Sequence, residues 1–489
     1  MNGSGGRWDT ASFRDARGRV YVKGSRVFGA LTPAGAEDWR ALSASPAWGE
    51  LQEQGKVVRT WAPPDVDVEP PAVCVLEHAP LTVITYAFEW PFSLLQDAAL
   101  LYLDLLHRLV PAGFTLIDGT SRNVMFEGMR PVFIDVLSIV PSRGRAVWFG
   151  LNQFLETMVY PLMLAAYKGM PYHAWLRGSA ELALPTSDVA RLFGWRDTLK
   201  PGVVTLLKLK RALDRFAQTE GFTPPPASQA GREDGRLLVH TLTRLRSVVA
   251  SLKPRFEKTP WTSYADCVAA NYDDDARSRK RRTVDTAVSR AAPGGVVWDL
   301  GCNTGEYSTL AASHARLVVA IDDDHGVVDS LCVAARTQGL HNLLPLVADA
   351  AWPSPGLGWD AAECRPLWSR GRADLVLALA LQHHVVLTRH VPCELLLQTL
   401  ARLGRNCLFE YIAPQDPQAL RMSSNLAEGH QQLPERSEFE AILAQWFRVE
   451  SVTEVTGTRS LYMLQSGIVA GVPAAEEFPA SAGGRGSAW

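Results

Sequence analysis

The sequence predicts an α/β chain in two parts, a C-terminal doubly wound sheet preceded by an α+β unit. Three observations carry this. After residue 295, short segments apolar at nearly every position alternate with helical stretches, the pattern of parallel strands buried on both faces. The last two strand segments, 448–455 and 460–466, are too close for a crossover and must form an antiparallel hairpin at the sheet edge. Ahead of a break at 219–235, strands come first and helices after.

Taken in order, GRVYVKGSRVFGALT (18–32) reads as a hairpin around Lys23-Gly24-Ser25, and DWRALSASPAWGELQEQG (38–55) as one helix. The β-branched and aromatic run 73–90 reads as two strands. A long apolar-periodic helix follows over 93–110, ended by Pro111 and Gly113. TLIDGTSRNVMFEGMRPVFIDVL (115–137) reads as two short strands around a turn, and 148–218 as helices with a core-facing stripe of Leu, Met, Phe and Tyr. Three consecutive prolines inside TEGFTPPPASQAGREDG (219–235) mark a stiff linker. Beyond it come a helix at 236–252 and strands at 295–300, 315–322, 342–349, 373–381 and 406–412, closed by the hairpin. The expected division is a domain at 1–218, a linker at 219–235, a sheet domain at 236–470 and a disordered tail at 471–489.

Composition excludes several classes. The chain has 489 residues, 47% hydrophobic and 20% charged, which fits a folded protein of several domains. A formal charge of −2 and a pI near 6.6 leave no overall basic field for a polyanion, so nucleic acid is not an expected partner. The charge is uneven, mildly basic up to Arg255 and acidic after it. Seven single cysteines with no Cys-x-x-Cys pair argue against a disulfide framework or zinc site, and no metal ligands are predicted. No signal peptide and no run of about 18 apolar residues is present, so the expectation is a soluble, cytoplasmic protein with no membrane partner. Oligomeric state is not legible.

The first parallel strand runs into Asp299-Leu300-Gly301-Cys302-Asn303-Thr304-Gly305-Glu306. A glycine-rich strand-to-helix turn admits a ligand close to the backbone and to free helix N-terminal amides. The spacing is D-x-G-x-x-x-G, and an acid at the strand end repels a pyrophosphate but suits a cationic group such as the amino end of S-adenosylmethionine. The second strand ends in Asp322-Asp323-Asp324; Asp322 is the first candidate for both hydroxyls of a ribose and Asp324 the second. Asp349, after the third strand, is positioned for the amine of an adenine. Three acids at successive strand ends occupy the edge where open α/β sheets bind ligands.

GVVWDLGCNTGEYS, VVAID, LVAD, DLVLALALQHH and the terminal hairpin resemble, in order and spacing, the class I S-adenosylmethionine-dependent methyltransferases over about residues 257–470. That resemblance implies a Rossmann-like, seven-stranded domain with S-adenosyl-L-methionine as cofactor. It implies that Gly301, Asn303 and Gly305 cradle the methionine part, Asp299 anchors its amine through the loop, Asp322 holds the ribose and Asp349 the adenine edge. Trp261, Tyr264 and Tyr272 resemble residues that close over the cofactor; the other reading packs them between helix and sheet. Lys280, inside RSRKRR (277–282), reads as part of a solvated helix face.

Methyl transfer asks for alignment and, where the acceptor loses a proton, a base. After the fourth strand stand His383 and His384, either of which titrates near neutrality as a base, or packs and caps the next helix. Glu410 and Tyr411, ending the fifth strand, are candidates for orienting substrate. The expected acceptor is an oxygen or nitrogen of a small molecule or modified peptide.

In the first domain Asp118, Asn123 and Asp135 follow the order of a catalytic Asp, a magnesium-binding Asn and a second magnesium Asp in protein kinases. The departures are substantial. No G-x-G-x-x-G loop or V-A-I-K-type lysine precedes them, and Leu116-Ile117 replaces the His-Arg pair. These segments, with NQFLETMVYPLMLAAYKGMPYHAWLRG, resemble the N-terminal part of bacterial nodulation-protein-like methyltransferases, so the resemblance spans nearly the whole chain. Three readings stay open for this domain: a degenerate kinase-like scaffold or substrate-binding unit, an active phosphotransferase, or an unrelated α+β fold. For the whole chain, the alternatives to a methyltransferase are a bifunctional kinase and methyltransferase, or a cofactor-sensing binding protein.

Overall fold

The computed structural model describes residues 7–65, 72–144, 147–211, 232–257, 272–424 and 430–468. Two compact units divide in sequence between Arg370 and Gly371. Of the expected linker, 219–231 lies outside the described residues and 232–235 already belongs to a helix; the expected tail also lies outside them.

The first unit opens with a five-stranded antiparallel sheet of β1 (Arg7–Trp8), β2 (Gly18–Lys23), β3 (Arg26–Leu31), β4 (Thr60–Trp61) and β5 (Cys74–His78), in the order β1-β2-β3-β5-β4. The predicted hairpin is β2–β3, with Lys23 opposite Arg26 and Gly24 at φ +62° in its turn, where a side chain would be strained. The single helix expected at 38–55 is instead two, α1 (Pro33–Ser43) and α2 (Pro46–Glu53). Pro46 lacks the N–H an uninterrupted helix would use and starts a new one at its first turn.

The second strand expected within 73–90 does not form. The chain after β5 is a buried strap whose polar groups find partners away from any sheet: Thr85 Oγ1 accepts from Trp90 Nε1 at 2.9 Å, and Tyr86 N–H donates to Glu89 at 3.2 Å. Its β-branched residues are apolar enough to be buried, but they pair with no neighbouring strand. Next, α3 (Phe92–Leu109) is the predicted long helix, nearly all of one side buried. Residues 114–141 give four short strands rather than two: a hairpin of β7 (Val124–Glu127) and β8 (Arg130–Phe133), and a pair of β6 (Phe114–Leu116) with β9 (Ile139–Pro141). The helical stretch follows, including α4 (Tyr160–Lys168), whose first seven residues are all buried. Then α5 (Arg232–Ser251) lies along α3, Gln96 Nε2 donating to the carbonyls of Val249 at 2.8 Å and Leu252 at 3.0 Å.

The same unit holds α6 (Asp274–Ala291) and three parallel strands, β10 (Val296–Leu300), β11 (Leu317–Asp322) and β12 (Leu343–Val347), in the order β12-β11-β10. Between them run α7 (Glu306–Ala312) and α8 (His325–Thr337). These elements are fastened to the α+β part. Ser93 N–H donates to Asp329 at 2.7 Å, Arg336 pairs with Asp97, and a fully buried Arg370–Glu89 pair closes at 2.6 Å. Glu363, itself buried, receives both Arg14 at 2.6 Å and Arg122 at 2.7 Å, which hold its carboxyl down to about 2.

The second unit, taken by itself, holds a mixed set of four strands, β13 (Ala373–Ala378), β14 (Gly404–Ile412), β15 (Phe447–Thr456) and β16 (Arg459–Ser466), in the order β13-β14-β16-β15. β13 and β14 are parallel, and the predicted hairpin is antiparallel with β15 outermost. α9 (Cys393–Leu403), α10 (Pro417–Ser423) and α11 (Arg436–Leu443) complete it.

Candidate functional site

Strand β10 is buried at all five positions, and its register sets Asp299 beside Ala320 of β11. Burial pushes the Asp299 carboxyl up to about 6, with Asp322 adding; a hydrogen bond from Ser308 Oγ at 2.5 Å and the charge of Lys280 oppose the rise. The loop after it needs left-handed backbone at three positions: φ is +75° at Gly301, +47° at Asn303 and +82° at Gly305. Glycine meets this without strain, and asparagine is among the few other residues that tolerate it. At Gly305 space also decides, since a Cβ would lie 2.2 Å from Leu331 Cδ1.

Asp322 organises the loop. Its Oδ2 accepts from Asn303 N–H at 2.9 Å and its Oδ1 from Asp324 N–H at 3.0 Å, so each oxygen keeps a lone pair for an outside donor. Burial raises its pKa to about 6 against those two hydrogen bonds. Asp324 is the N-cap of α8, its Oδ1 accepting from Gly326 and Val327 N–H, a structural task. Asp349 accepts from Ala351 N–H at 2.8 Å and shapes the turn after β12. Thus Asp299, Gly301, Asn303, Gly305 and Asp322 share one hydrogen-bonded loop, with Asp349 two strands from β10 on the same edge.

Lys280 is not on a solvated face. It is 3% exposed, its Nζ donates to Tyr272 OH at 3.2 Å, and it stands over the rings of Tyr272 at 4.8 Å and Tyr307 at 5.2 Å. The basic run is amphipathic: Ala276, Lys280, Val284, Ala287 and Val288 all point inward. That spacing of three and four was the signal in the sequence; the charge of Lys280 concealed it. Tyr272 is buried, while Trp261 and Tyr264 lie outside the described residues.

In the second unit His383 is fully buried, with Gln418 close enough to oppose the fall in its pKa. Burial, then His384 and Arg459, hold it neutral far below the ordinary histidine value. His384, its ring 4.1 Å from that of His383, opens a π-helical turn over His384–Thr388 and is pushed down to about 4, by burial and then by Arg459. Glu410 is buried on β14 and accepts from Ala380 N–H at 2.7 Å, which secures the turn after β13 where Ala380 sits at φ +51°. The Tyr411 hydroxyl is spent on the Pro434 carbonyl at 3.2 Å. Sequence reasoning missed Gln382, fully buried and accepting from Ile412 N–H at 2.8 Å, and the buried two-point pair of Arg459 with Asp416 at 2.8 and 2.9 Å.

In the α+β part, Asn123 Nδ2 donates to Asp135 Oδ2 at 3.0 Å. Burial raises the Asp135 carboxyl to about 7, and the carboxylates of Asp15 and Asp118 add to it. Among the described residues, no group of three His, Cys, Asp or Glu side chains is arranged to hold a metal ion.

No protein-family model matches the chain. Nodulation protein NoeA of Rhizobium meliloti (strain 1021) is 32% identical over 465 residues, 93% of this chain and 95% of that one. The chain belongs to the NoeA family. Solved structures that match include the bifunctional kinase-methyltransferase WbdD, 20% identical over 40% of each chain with a TM-score of 0.29. Another is the magnesium protoporphyrin IX methyltransferase ChlM from Synechocystis PCC 6803, 21% identical over 39% of this chain and 82% of that chain, with a TM-score of 0.27. No helix among the described residues is long and apolar enough to cross a membrane.

Proposed function

We propose that this NoeA-family protein transfers the methyl group of S-adenosyl-L-methionine to an oxygen or nitrogen of a small molecule or modified peptide, in specialised metabolism. The supporting observation is Asp322, a strand-end carboxylate that holds the glycine loop with one lone pair of each oxygen and keeps the other for two ribose hydroxyls. In this reading the loop amides and Asp299 meet the methionine part and Asp349 the adenine. His384 is the preferred base, because His383 is sealed inside the protein. A base is asked to act in its neutral form, which both rings hold near pH 7.

Calorimetric titration with S-adenosylhomocysteine tests the cofactor. Two hydrogen bonds to a carboxylate are together worth about 3–6 kcal/mol, so Asp322→Ala should lose binding by two orders of magnitude or more. Unchanged affinity refutes the assignment.

For the α+β part we propose a kinase-like scaffold or substrate-binding role. The Asn123–Asp135 hydrogen bond, with Asp118 near enough to raise Asp135, also favours a second reading, an active phosphotransferase. That reading predicts a magnesium-dependent thermal shift with ATP, lost in Asp135→Ala; no shift in the wild type removes it.

A further inference from the structure

Single exposed apolar side chains are ordinary on a protein surface, whereas a cluster of them marks a contact site. The α+β part carries such a cluster beyond α4, on the helix Thr186–Leu192, the turn Trp195–Leu199 and the π-helical turn Val203–Leu209. Val189, Phe193, Val203 and Leu207 anchor this stretch inside the protein. Leu192, Trp195, Leu199 and Val204 face out instead, Trp195 being 76% and Leu199 92% exposed. The three elements form one surface because side chains tie them together. Tyr160 OH meets Thr186 Oγ1 at 3.2 Å and donates to the Leu206 carbonyl at 2.7 Å, and Lys208 Nζ donates to the Gly194 carbonyl at 3.3 Å. The turn that carries Trp195 and Leu199 is also held in shape. Buried Asp197 accepts from Gly194 N–H at 2.8 Å, from Lys168 at 2.6 Å and from Lys200 at 2.9 Å. A fixed scaffold therefore displays the indole and the leucine side chain to solvent.

The charge around the cluster is one-sided. Residues 186–211 hold six Arg or Lys against two Asp, a net +4 within a chain of formal charge −2. Asp197 is taken up by Lys168 and Lys200, and Asp188 meets Arg191 in a pair exposed at both ends, which holds the guanidinium only weakly. The Arg196 guanidinium lies 5.2 Å from the centre of the Trp195 ring, so cation and indole are presented together. The boundary zone of an anionic bilayer accepts this combination: aromatic and aliphatic tips enter between headgroups and acyl chains while basic side chains meet the phosphates. The recurring modes of peptide capture need a groove, a sheet edge or a long helix face. These elements are seven, five and seven residues long and supply tips alone.

We propose that this face docks reversibly on an anionic lipid surface, with Trp195 and Leu199 entering the interface and Arg191 and Arg196 contacting headgroup phosphates. The inference goes beyond the methyltransferase reading and does not depend on it. It departs from the sequence-based expectation of no membrane partner, and it needs no spanning helix, of which the described residues have none.

Co-sedimentation of the full-length protein with vesicles tests it, using phosphatidylcholine alone and phosphatidylcholine mixed with phosphatidylglycerol. The wild type should prefer the anionic vesicles by about tenfold or more, and high salt should remove most of that preference. Trp195→Ser combined with Leu199→Ser should weaken binding to anionic vesicles by about tenfold or more. Arg191→Gln combined with Arg196→Gln should bring the anionic preference to about threefold or less. Both double variants should keep the wild-type unfolding temperature, since all four side chains are on the surface; should the serine pair lower it, the glutamine pair decides. No association of the wild type with anionic vesicles overturns the proposal. So does equal, salt-insensitive binding to both vesicle types, or undiminished binding by the variants. Self-association of the wild type in sedimentation velocity, lost in the serine pair and unaccompanied by vesicle binding, would make the face a contact between copies of the chain and overturn the lipid assignment.

Discussion

Replacing Asp135 by asparagine should stabilise the protein at neutral pH. In the folded chain the Asp135 carboxyl titrates near 7, raised by burial and by Asp15 and Asp118, whereas an ordinary Asp titrates at 3.8. A folded-state pKa above the unfolded one means that the folded state binds the proton more tightly. Between pH 4 and 7 the unfolded chain gives up this proton first, so stability falls as pH rises through that window and the full penalty is present above 7. Three units at about 1.4 kcal/mol each set an upper value of about 4 kcal/mol. Part of this is screened at a side chain that is not wholly enclosed, so we expect about 2–3 kcal/mol in Asp135→Asn at pH 8. The asparagine side chain can still accept from Asn123. Urea unfolding followed by tryptophan fluorescence at pH 5 and pH 8 measures it: the variant should gain at pH 8, gain little at pH 5, and lose much of the wild-type pH slope. A variant no more stable than wild type at pH 8, or one with the same slope, would refute the picture of a carboxylate held at a raised pKa by burial and by Asp15 and Asp118.

Other tests address the loop and the histidines. Gly305→Ala combines left-handed backbone with a Cβ 2.2 Å from Leu331 Cδ1, and should cost about 2–4 kcal/mol of stability in urea together with cofactor affinity. If His384 is the base, its pKa near 4 places the acid limb of the kcat/KM profile well below pH 6; an inflection near 6.5 that vanishes in His384→Ala would contradict the buried, neutral ring. Arg459→Met strands Asp416 without its two-point partner and should destabilise by about 3–5 kcal/mol, while Arg459→Met combined with Asp416→Leu should recover much of it. An equal loss in the single and double variants would mean that packing, not charge, is what the pair supplies.

The parallel strands were legible because their environment is uniform: β10 to β14 are covered on both faces, so nearly every residue must be apolar, and the acids that end them stand out. The loop was legible for a related reason, since few sequences satisfy left-handed backbone at Gly301 and Gly305. Residues 81–86 misled because apolar, β-branched composition reports burial, and burial does not require a neighbouring strand. Lys280 misled in the opposite sense. A charged residue among Arg277, Arg279, Arg281 and Arg282 is assigned to solvent on composition, yet it falls on the stripe of Ala276, Val284 and Val288. Where residue type and helical period disagree, the period reports which face of the helix is buried.

The second lesson lies in Glu363. Its segment, 349–370, follows β12 and is the longest connection between consecutive strands of the first unit's parallel sheet and what comes after it. Loops at this edge choose the substrate in open α/β sheets. Here the segment is clamped by Arg14 and by Arg122, and Arg122 sits between Asp118 and Asn123 in the α+β part. Ser354 and Arg370 meet Glu89 of the buried strap, and Arg365 N–H donates to Tyr86 OH at 2.9 Å. None of these pairs is visible in sequence, because the partners are more than 200 residues apart and each alone reads as an ordinary polar or charged residue. Their common effect is that the connection after β12 takes its shape from the α+β part. A change in that part, even one far from the glycine loop, therefore has a direct mechanical route to the segment that follows β12.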